Sequence, residues 1–262
     1  MRNFISEDDI EQAILQKLEG DPFQYGILRC DPSPDKRELL PDGTGRSSKK
    51  ECVLPLILRE ALARLNPDIP GEKLEEIARD LCRDFSATDM TATNYKYYNQ
   101  IRNGIKISLR RNGKEDFDFV KLVDFDRPEN NTFTAVSQMW IQGRVYWRRP
   151  DVLIFINGLP MVFVELKNSI VKVEEAYNDN LKNYLRDIPN LFALNQICVL
   201  SNGLETRLGA FNATYNHFFE WLKVDSEKER PDRQALKEAG TVGESSVRYF
   251  IDGLLQLSLI HI

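Results

Sequence analysis

Apolar residues fill Val152 to Ile156 and Leu159 to Val164 almost without a break, and Asn157-Gly158 lies between the two runs. Short continuous apolar runs fit strands buried on both faces. Asn-Gly accepts the positive φ angles of a tight hairpin turn, and Pro160 withholds one N–H from the ladder. The pattern predicts two antiparallel core strands. A three-residue loop over Asn157 to Leu159 sets Ile156 opposite Pro160, Phe155 opposite Met161 and, counting outward, Asp151 opposite Glu165. A loop one residue shorter or longer moves that partner to Val164 or Leu166. Side chains alternate along a strand, so Glu165 and Lys167 share a face in any register, and the three-residue register adds Asp151 to it. Leu153, Phe155, Met161 and Phe163 fall on one side of the hairpin and Val152, Ile154, Ile156, Val162 and Val164 on the other.

Helical spacing appears elsewhere. Ser6 is a helix N-cap followed by Glu7, Asp8 and Asp9, and Ile10, Ile14, Leu15 and Leu18 form an apolar stripe. Two further helices are predicted at about Val53 to Leu65 and Gly71 to Phe85, broken by Asn66-Pro-Asp-Ile-Pro70. Val173, Ala176, Tyr177, Leu181, Tyr184 and Leu185 mark a helix over Val171 to Asp187, which Pro189 ends. Gln196 to Leu200 reads as a strand before Ser201-Asn202-Gly203, and Thr206 to Phe211 as another. The strand after the crossover helix should run parallel to the one before it. The fold class that follows is α/β, a mixed central β-sheet flanked by helices with a mostly helical N-terminal part.

Asp31 to Lys50 is rich in Pro, Gly, Ser and charge and reads as an exposed loop. Its Gly43 to Lys49 stretch lacks the spacing of a phosphate-binding loop and reads as a turn. The chain has 262 residues and a net charge of −5, so DNA binding is not advertised globally. A local basic track remains, with Arg102, Lys106, Arg110, Arg111 and Lys114 between positions 101 and 114 and no acidic residue among them. Arg144, Arg148 and Arg149 lead up to Asp151. Only two histidines are present, His217 and His261, too few for a histidine metal cluster or relay. The four cysteines are scattered, and with no leader peptide evident in the first residues they suggest reduced thiols in the cytoplasm. No segment is long and apolar enough to span a membrane.

Asp151, Glu165 and Lys167 are charges beside strands that are otherwise buried. Such charge is costly unless it is paired or holds a metal. Spacing alone leaves two readings: a salt bridge between Glu165 and Lys167 at the solvated strand ends, or a metal site.

A family resemblance bears on that choice. Arg148-Arg149-Pro150-Asp151, Asn157-Gly158-Leu159-Pro160 and Val164-Glu165-Leu166-Lys167 together resemble the nuclease core of the restriction subunit of type I restriction endonucleases. That core belongs to the PD-(D/E)xK superfamily, whose signature Pro150-Asp151 and Glu165-x-Lys167 match. Leu122 to Phe133 and Gln138 are similar to the family's approach to the motif, and the resemblance runs from about Ser6 to about Leu255.

The resemblance implies that Asp151 and Glu165 hold Mg²⁺, with the main-chain carbonyl of Leu166 as a third ligand. It implies that Lys167 orients or helps deprotonate the attacking water and offsets charge on the scissile phosphate. The family's Gln-x-x-x-Tyr pair falls on Asn180 and Tyr184; Asn180 departs from it by one methylene, and Tyr184 is expected to touch the phosphate backbone or brace Lys167. Glu11 matches the glutamate that many relatives carry on their first helix. Arg144, Arg148 and Arg149 are implied DNA contacts. Double-stranded DNA and the methyltransferase and specificity subunits are the implied partners, with target recognition supplied by another subunit. ATP would act only through a translocase region absent here. Residues 1–222 are expected to form the nuclease domain and 223–262 a linker and truncated start of the translocase, making the chain an N-terminal fragment. Leu257 to Ile262 departs from what the family leads one to expect next. Two other classes stay open: a stand-alone nuclease or repair enzyme with the same chemistry, and a non-catalytic DNA-binding or docking domain on the same fold.

Overall fold

The computed structural model describes residues 5–83, 89–111, 114–220 and 251–252, with the side chains of 111 and 114 left aside. Phe85, the side chains of Arg111 and Lys114, the expected linker from Lys223 to Val247, His261 and the terminal Leu257 to Ile262 lie outside the described residues.

The first helix, α1 (Glu7–Glu19), begins as its sequence requires. The Ser6 side chain accepts from the Asp9 N–H, and the Asp9 carboxylate accepts in return from the Ser6 N–H, satisfying two otherwise orphaned donors. Its stripe of Ile10, Ile14, Leu15 and Leu18 is buried. Strand β1 (Gly26–Arg29) follows, then α2 (Pro55–Leu65), α3 (Gly71–Cys82) and α4 (Met90–Asn103). A separate two-stranded ribbon is formed by β2 (Ile105–Arg111) and β3 (Lys114–Val120). Next come β4 (Phe133–Ser137), the short pair β5 (Ile141–Gln142) and β6 (Trp147–Arg148), β7 (Val152–Ile156) and β8 (Leu159–Leu166). A helical segment from Val173 to Asp187 leads to β9 (Ile197–Ser201), β10 (Thr206–Gly209) and β11 (Phe219–Glu220).

The central sheet has seven strands in the order β1-β4-β7-β8-β9-β10-β11. β1 runs parallel to β4 and β8 parallel to β9, while the other neighbours are antiparallel. This is the mixed, helix-flanked α/β sheet that the sequence predicts, with the strand after the crossover helix parallel to β8. It is wider than the pattern predicts: β1, β4 and β11 are strands that the pattern does not mark, and β1 interrupts the helical N-terminal part. Both faces of β7 and β8 are covered. Val152, Ile154, Ile156, Val162 and Val164 pack toward α1, α2 and α3. Leu153, Phe155 and Phe163 pack toward Leu181, Tyr184, Ile188 and Phe192. Ile251 is buried on the first of these sides, and Asp252 pairs with Lys17 of α1 at 2.9 Å.

The hairpin reaches its predicted pairing by a different route. Ile156 faces Leu159, so the loop is the two residues Asn157 and Gly158, at φ 51° and 82°. Phe155 then faces Pro160, not Met161. A two-residue loop would carry Asp151 opposite Val164. The register shifts by one residue between Ile154 and Phe155, leaving Met161 as a bulge, and beyond it Val152 faces Val164. One further step outward sets Asp151 opposite Glu165. The bulge also moves Met161 onto the α1 side of the sheet, opposite to the face assigned by simple alternation.

Two other expectations need correction. The stretch read as an exposed loop buries Thr44, Arg46 and Lys49. Arg46 and Lys49 both reach Asp42 at 2.7 Å, and Arg46 also donates to the carbonyls of Glu51 and Trp140. Burial alone would raise the Asp42 carboxyl pKa, but these cations and the Thr44 hydroxyl hold it below the usual range. Charged residues look like surface in a sequence, yet mutual pairing makes them buriable. The helix assigned to Val171 to Asp187 starts at Val173, and Ala176–Leu181 forms a wider π-helical turn between the α-helical ends Val173–Glu175 and Lys182–Asp187.

Asn157 is wholly buried, and its amide fastens the turn to the preceding segment. Its Oδ1 accepts from the Thr132 N–H at 2.8 Å, and its Nδ2 donates to the Leu122 carbonyl at 2.9 Å and to Asn131 Oδ1 at 2.8 Å. Asn157→Gly keeps the backbone conformation and removes these bonds. It is expected to lower stability by about 2–4 kcal/mol, as befits buried polar groups left without partners, read as a shift of the urea unfolding midpoint at unchanged slope.

Candidate active site

The ladder between β7 and β8 places Asp151, Glu165 and Lys167 at one end of the hairpin. Pro150-Asp151 enters β7, and Glu165-Leu166 closes β8. Asp151 is held by main chain on both sides. Its Oδ2 accepts from the Leu166 N–H at 2.7 Å, and its carbonyl accepts from the Gln138 N–H at 2.9 Å. Lys167 continues the pairing to β9 through its N–H, which donates to the Ser201 carbonyl at 2.8 Å.

Glu165 is 2% exposed. Asn180 Nδ2 donates to its Oε1 in a short contact, and the Tyr184 hydroxyl lies 3.5 Å from the same oxygen. The two residues reach Glu165 from one side of their helix because they are four positions apart. The shorter Asn180 side chain therefore still spans the gap. Tyr184 braces Glu165 rather than Lys167: its hydroxyl donates to the Arg149 carbonyl at 3.1 Å, and its ring packs edge-on against Phe163. Glu165 Oε2 is buried and has no hydrogen-bond partner among the described residues.

The ion-pair alternative requires Lys167 to bond Glu165. Among the described residues Lys167 forms no ion pair with either carboxylate, though its charge acts on both from nearby. Burial pushes the Glu165 carboxyl well above its ordinary range, Asp151 pushes it further, and Lys167 and the Asn180 amide oppose the shift. Burial likewise raises Asp151 to about 6, against the Leu166 N–H and Lys167. Two acids thus face each other in an apolar sheet without a compensating cation bonded to them.

The first helix brings more acid. Ile5 and Ser169 bond reciprocally, the Ile5 N–H to Ser169 Oγ at 2.9 Å and the Ser169 N–H to the Ile5 carbonyl at 3.0 Å, which ties the start of α1 to the end of β8. Glu11, 5% exposed, accepts a short bond from Gln138 Nε2, whose amide lies 3.4 Å from Asp151 Oδ1. Burial raises Glu11 to about 7, lessened by the Gln138 amide and reinforced by Asp151. Glu7, one turn earlier on α1, adds negative charge near Asp151 and Glu165. In the sequence, Gln138 stands out only as part of the segment that approaches the motif. Its backbone φ of 56°, unusual for glutamine, carries no mark in the sequence.

The arginines divide. Arg148 donates through Nε to Asp187 Oδ2 at 2.7 Å and lies over the Tyr184 ring, so it braces the helix that carries Asn180 and Tyr184. Arg149 donates to the Pro32 carbonyl and covers the Trp140 ring. Arg144 is exposed. Arg102, Lys106 and Arg110 are exposed around and along the β2–β3 ribbon. His217 is exposed and bonds Thr214, away from these residues in the chain's β10–β11 connection.

Among the described residues no three or more His, Cys, Asp or Glu side chains converge closely enough to hold a metal ion by themselves. A hard divalent cation does not need such a cage. Mg²⁺ is bound through one or two carboxylates and keeps several waters, with substrate phosphate oxygen completing its shell. Asp151, the unpartnered Glu165 Oε2 and a nearby main-chain carbonyl suit that donor set. No helix among the described residues is long and apolar enough to cross a membrane.

Comparison with known proteins gives the chain's family. The family described as the N terminus of the type I restriction enzyme R protein matches residues 4–217. The chain is 30% identical over 256 residues to the type I restriction enzyme HindI endonuclease subunit of Haemophilus influenzae, covering 96% of this chain and 23% of that protein. It is also 30% identical over 250 residues to the putative type I restriction enzyme MjaIXP endonuclease subunit of Methanocaldococcus jannaschii, covering 92% of this chain and 22% of that one. The chain therefore spans less than a quarter of the length of these relatives. Because the match runs from α1 through the whole hairpin and on to β10, the chain belongs to the type I restriction enzyme R protein family and corresponds to its N-terminal region.

Proposed function

We propose that this region cleaves DNA phosphodiester bonds with a divalent cation, Mg²⁺ in the cell, held by Asp151, Glu165 and the Leu166 carbonyl. The observation that carries the reading is the buried Glu165 carboxylate, which among the described residues keeps one oxygen unpartnered while its neighbours are another acid and a lysine that ion-pairs with neither. Buried anions without a partner are costly, and a cation resolves that cost. When bound, the cation supplies charge for the scissile phosphate and activates water. Asn180 and Tyr184 hold one Glu165 oxygen and leave the other free. The Leu166 N–H fixes Asp151. Lys167, unpaired, orients the attacking water and offsets the negative charge that grows on the phosphate.

The substrate in this reading is double-stranded DNA, contacted on its backbone near Arg144 and Arg149, with Arg148 contributing through its support of the Tyr184 helix. Backbone contact gives affinity without sequence specificity. Target choice then rests with the methyltransferase and specificity subunits of a type I complex, and ATP-driven translocation with a part of the subunit outside this chain. A cytoplasmic setting follows from that role.

In the full-length subunit assembled with its partners, Asp151→Asn or Glu165→Gln is expected to reduce DNA cleavage by more than about 100-fold, beyond what loss of a merely supporting group costs, with ATP hydrolysis retained. Plasmid cleavage and phosphate release measured in parallel decide the matter. Cleavage at the parent rate refutes the assignment, and loss of both activities indicates failed assembly. Lys167→Ala is expected to slow cleavage while leaving Mn²⁺ affinity close to that of the parent.

The raised carboxyls give a second prediction. Asp151 and Glu11 bind protons more tightly folded than unfolded, so the stability they confer is present near pH 4 and is lost as pH rises through about 6 and 7. The metal-free chain should therefore lose stability between about pH 4 and pH 7. A cation at Asp151 and Glu165 favours their ionised forms, so stabilisation by Mg²⁺ should grow over the same window. Urea midpoints at both pH values, with and without Mg²⁺, test this; an identical pH dependence in the two conditions contradicts it.

A further inference from the structure

Gln138 lies where three parts of the molecule meet: the end of β4, the entry to β7 and the buried side of α1. Its N–H donates to the Asp151 carbonyl at 2.9 Å, which carries the β4–β7 pairing one step past the strands. Its φ of 56° turns the side chain away from the regular alternation of β4. For a non-glycine residue such a backbone is unfavourable when nothing in its chemistry favours it. Asn157, the hairpin residue with a similar angle, has the short amide that tolerates this region. Glutamine has no such excuse.

What the conformation achieves is visible at the side-chain amide. Nε2 donates to Glu11 Oε2 and lies 3.4 Å from Asp151 Oδ1. The other Asp151 oxygen is already fixed by the Leu166 N–H. With the amide turned the other way, Oε1 would face two carboxylates, so electrostatics sets its orientation. The consequence is that Oε1 is buried without a partner among the described residues, a second unfavourable feature at the same residue. The chemistry of the group also matters. A lysine or arginine in this place would gather the two acids and neutralise them, competing with any cation, whereas a neutral amide gathers them and leaves their charge in place.

We infer that Gln138 is a positioning residue, one that holds Asp151 and Glu11 in a common orientation and couples α1 to the hairpin end without neutralising either acid. The inference rests on the cation-binding reading of Asp151 and Glu165. It adds a residue that lies outside the acid-and-lysine signature and that need not touch the cation.

The test separates side chain from backbone. Gln138→Gly relaxes the positive φ and removes the amide, so a purely conformational role predicts an unharmed protein. Mn²⁺ titrated into the 262-residue chain by calorimetry is expected to bind Gln138→Gly about 10–100-fold more weakly than the parent, the usual cost of losing a group that orients a ligand. Gln138→Asn, which keeps an amide and accepts the backbone, is expected to recover part of that loss. In metal-free urea unfolding, Gln138→Gly and Glu11→Ala should be non-additive, the double variant shifting the midpoint by less than the two singles together. Mn²⁺ binding by Gln138→Gly within twofold of the parent, or additive unfolding shifts, overturns the inference. Asp151→Asn is the reference for the reading beneath it. If Asp151→Asn loses Mn²⁺ and Gln138→Gly does not, the role of Gln138 falls and the cation site stands. If Asp151→Asn binds like the parent, the cation site falls, and the unfolding cycle alone judges the bridge.

Discussion

Asp151 and Glu165 face each other because two irregularities in one hairpin cancel. The Asn157-Gly158 turn is one residue shorter than the pairing needs, and the bulge at Met161 restores the missing residue. A one-residue slip in a strand sends every side chain to the opposite face, so without the bulge Asp151 would sit opposite a valine and its side chain would leave the Glu165 face. The rest of the site hangs on this register. Leu166 offers its N–H to Asp151, Asn180 and Tyr184 reach Glu165 from the crossover helix, and Gln138 meets Asp151 from β4. The buried Asn157 amide, bonded to Thr132, Asn131 and Leu122, holds the turn that starts the count.

The energetic character of the site follows from where the hairpin lies. β7 and β8 are buried on both faces, so acids at their end are desolvated, and the carboxyls of Glu11, Asp151 and Glu165 are all displaced upward. A fold seeking stability alone would pair Glu165 with Lys167 or replace both acids with apolar residues. The buried Asp42, Arg46 and Lys49 cluster shows the contrast within the same molecule, since there the charges are bonded directly and the carboxyl is displaced downward. The acids at the sheet end and the Asp42 cluster thus differ in one respect: only the second has cations bonded directly to its carboxylate.

The sequence made some of this legible and hid the rest for definable reasons. Asn157-Gly158 announced the turn, continuous apolar runs announced the buried strands, and Ser6 with Asp9 announced the start of α1, since each is a local signal with a local cause. The two-residue loop is hidden because a bulge has no signature when Pro160 and Met161 look like ordinary strand residues. β1, β4 and β11 are short strands whose pairing is set by partners elsewhere in the sheet, so no local signal marks them. Arg46 and Lys49 looked like surface because burial of charge depends on a third residue, Asp42. The π-helical turn at Ala176–Leu181 left the helical spacing of Asn180 and Tyr184 intact and so left no trace. Asp151, Glu165 and Lys167 could be named from their motif, but the bonds from Asn180 and Tyr184 to Glu165, and the amide that joins Glu11 to Asp151, are tertiary facts.

The most direct measurement is an anomalous difference map from crystals of the chain soaked in Mn²⁺. A peak between the Asp151 and Glu165 carboxylates, within coordination distance of Glu165 Oε2 and beside Lys167, is the expected result. A peak elsewhere in the molecule, or none at Mn²⁺ concentrations where calorimetry shows the chain to be saturated, would contradict the assignment of this buried acid pair as the cation site.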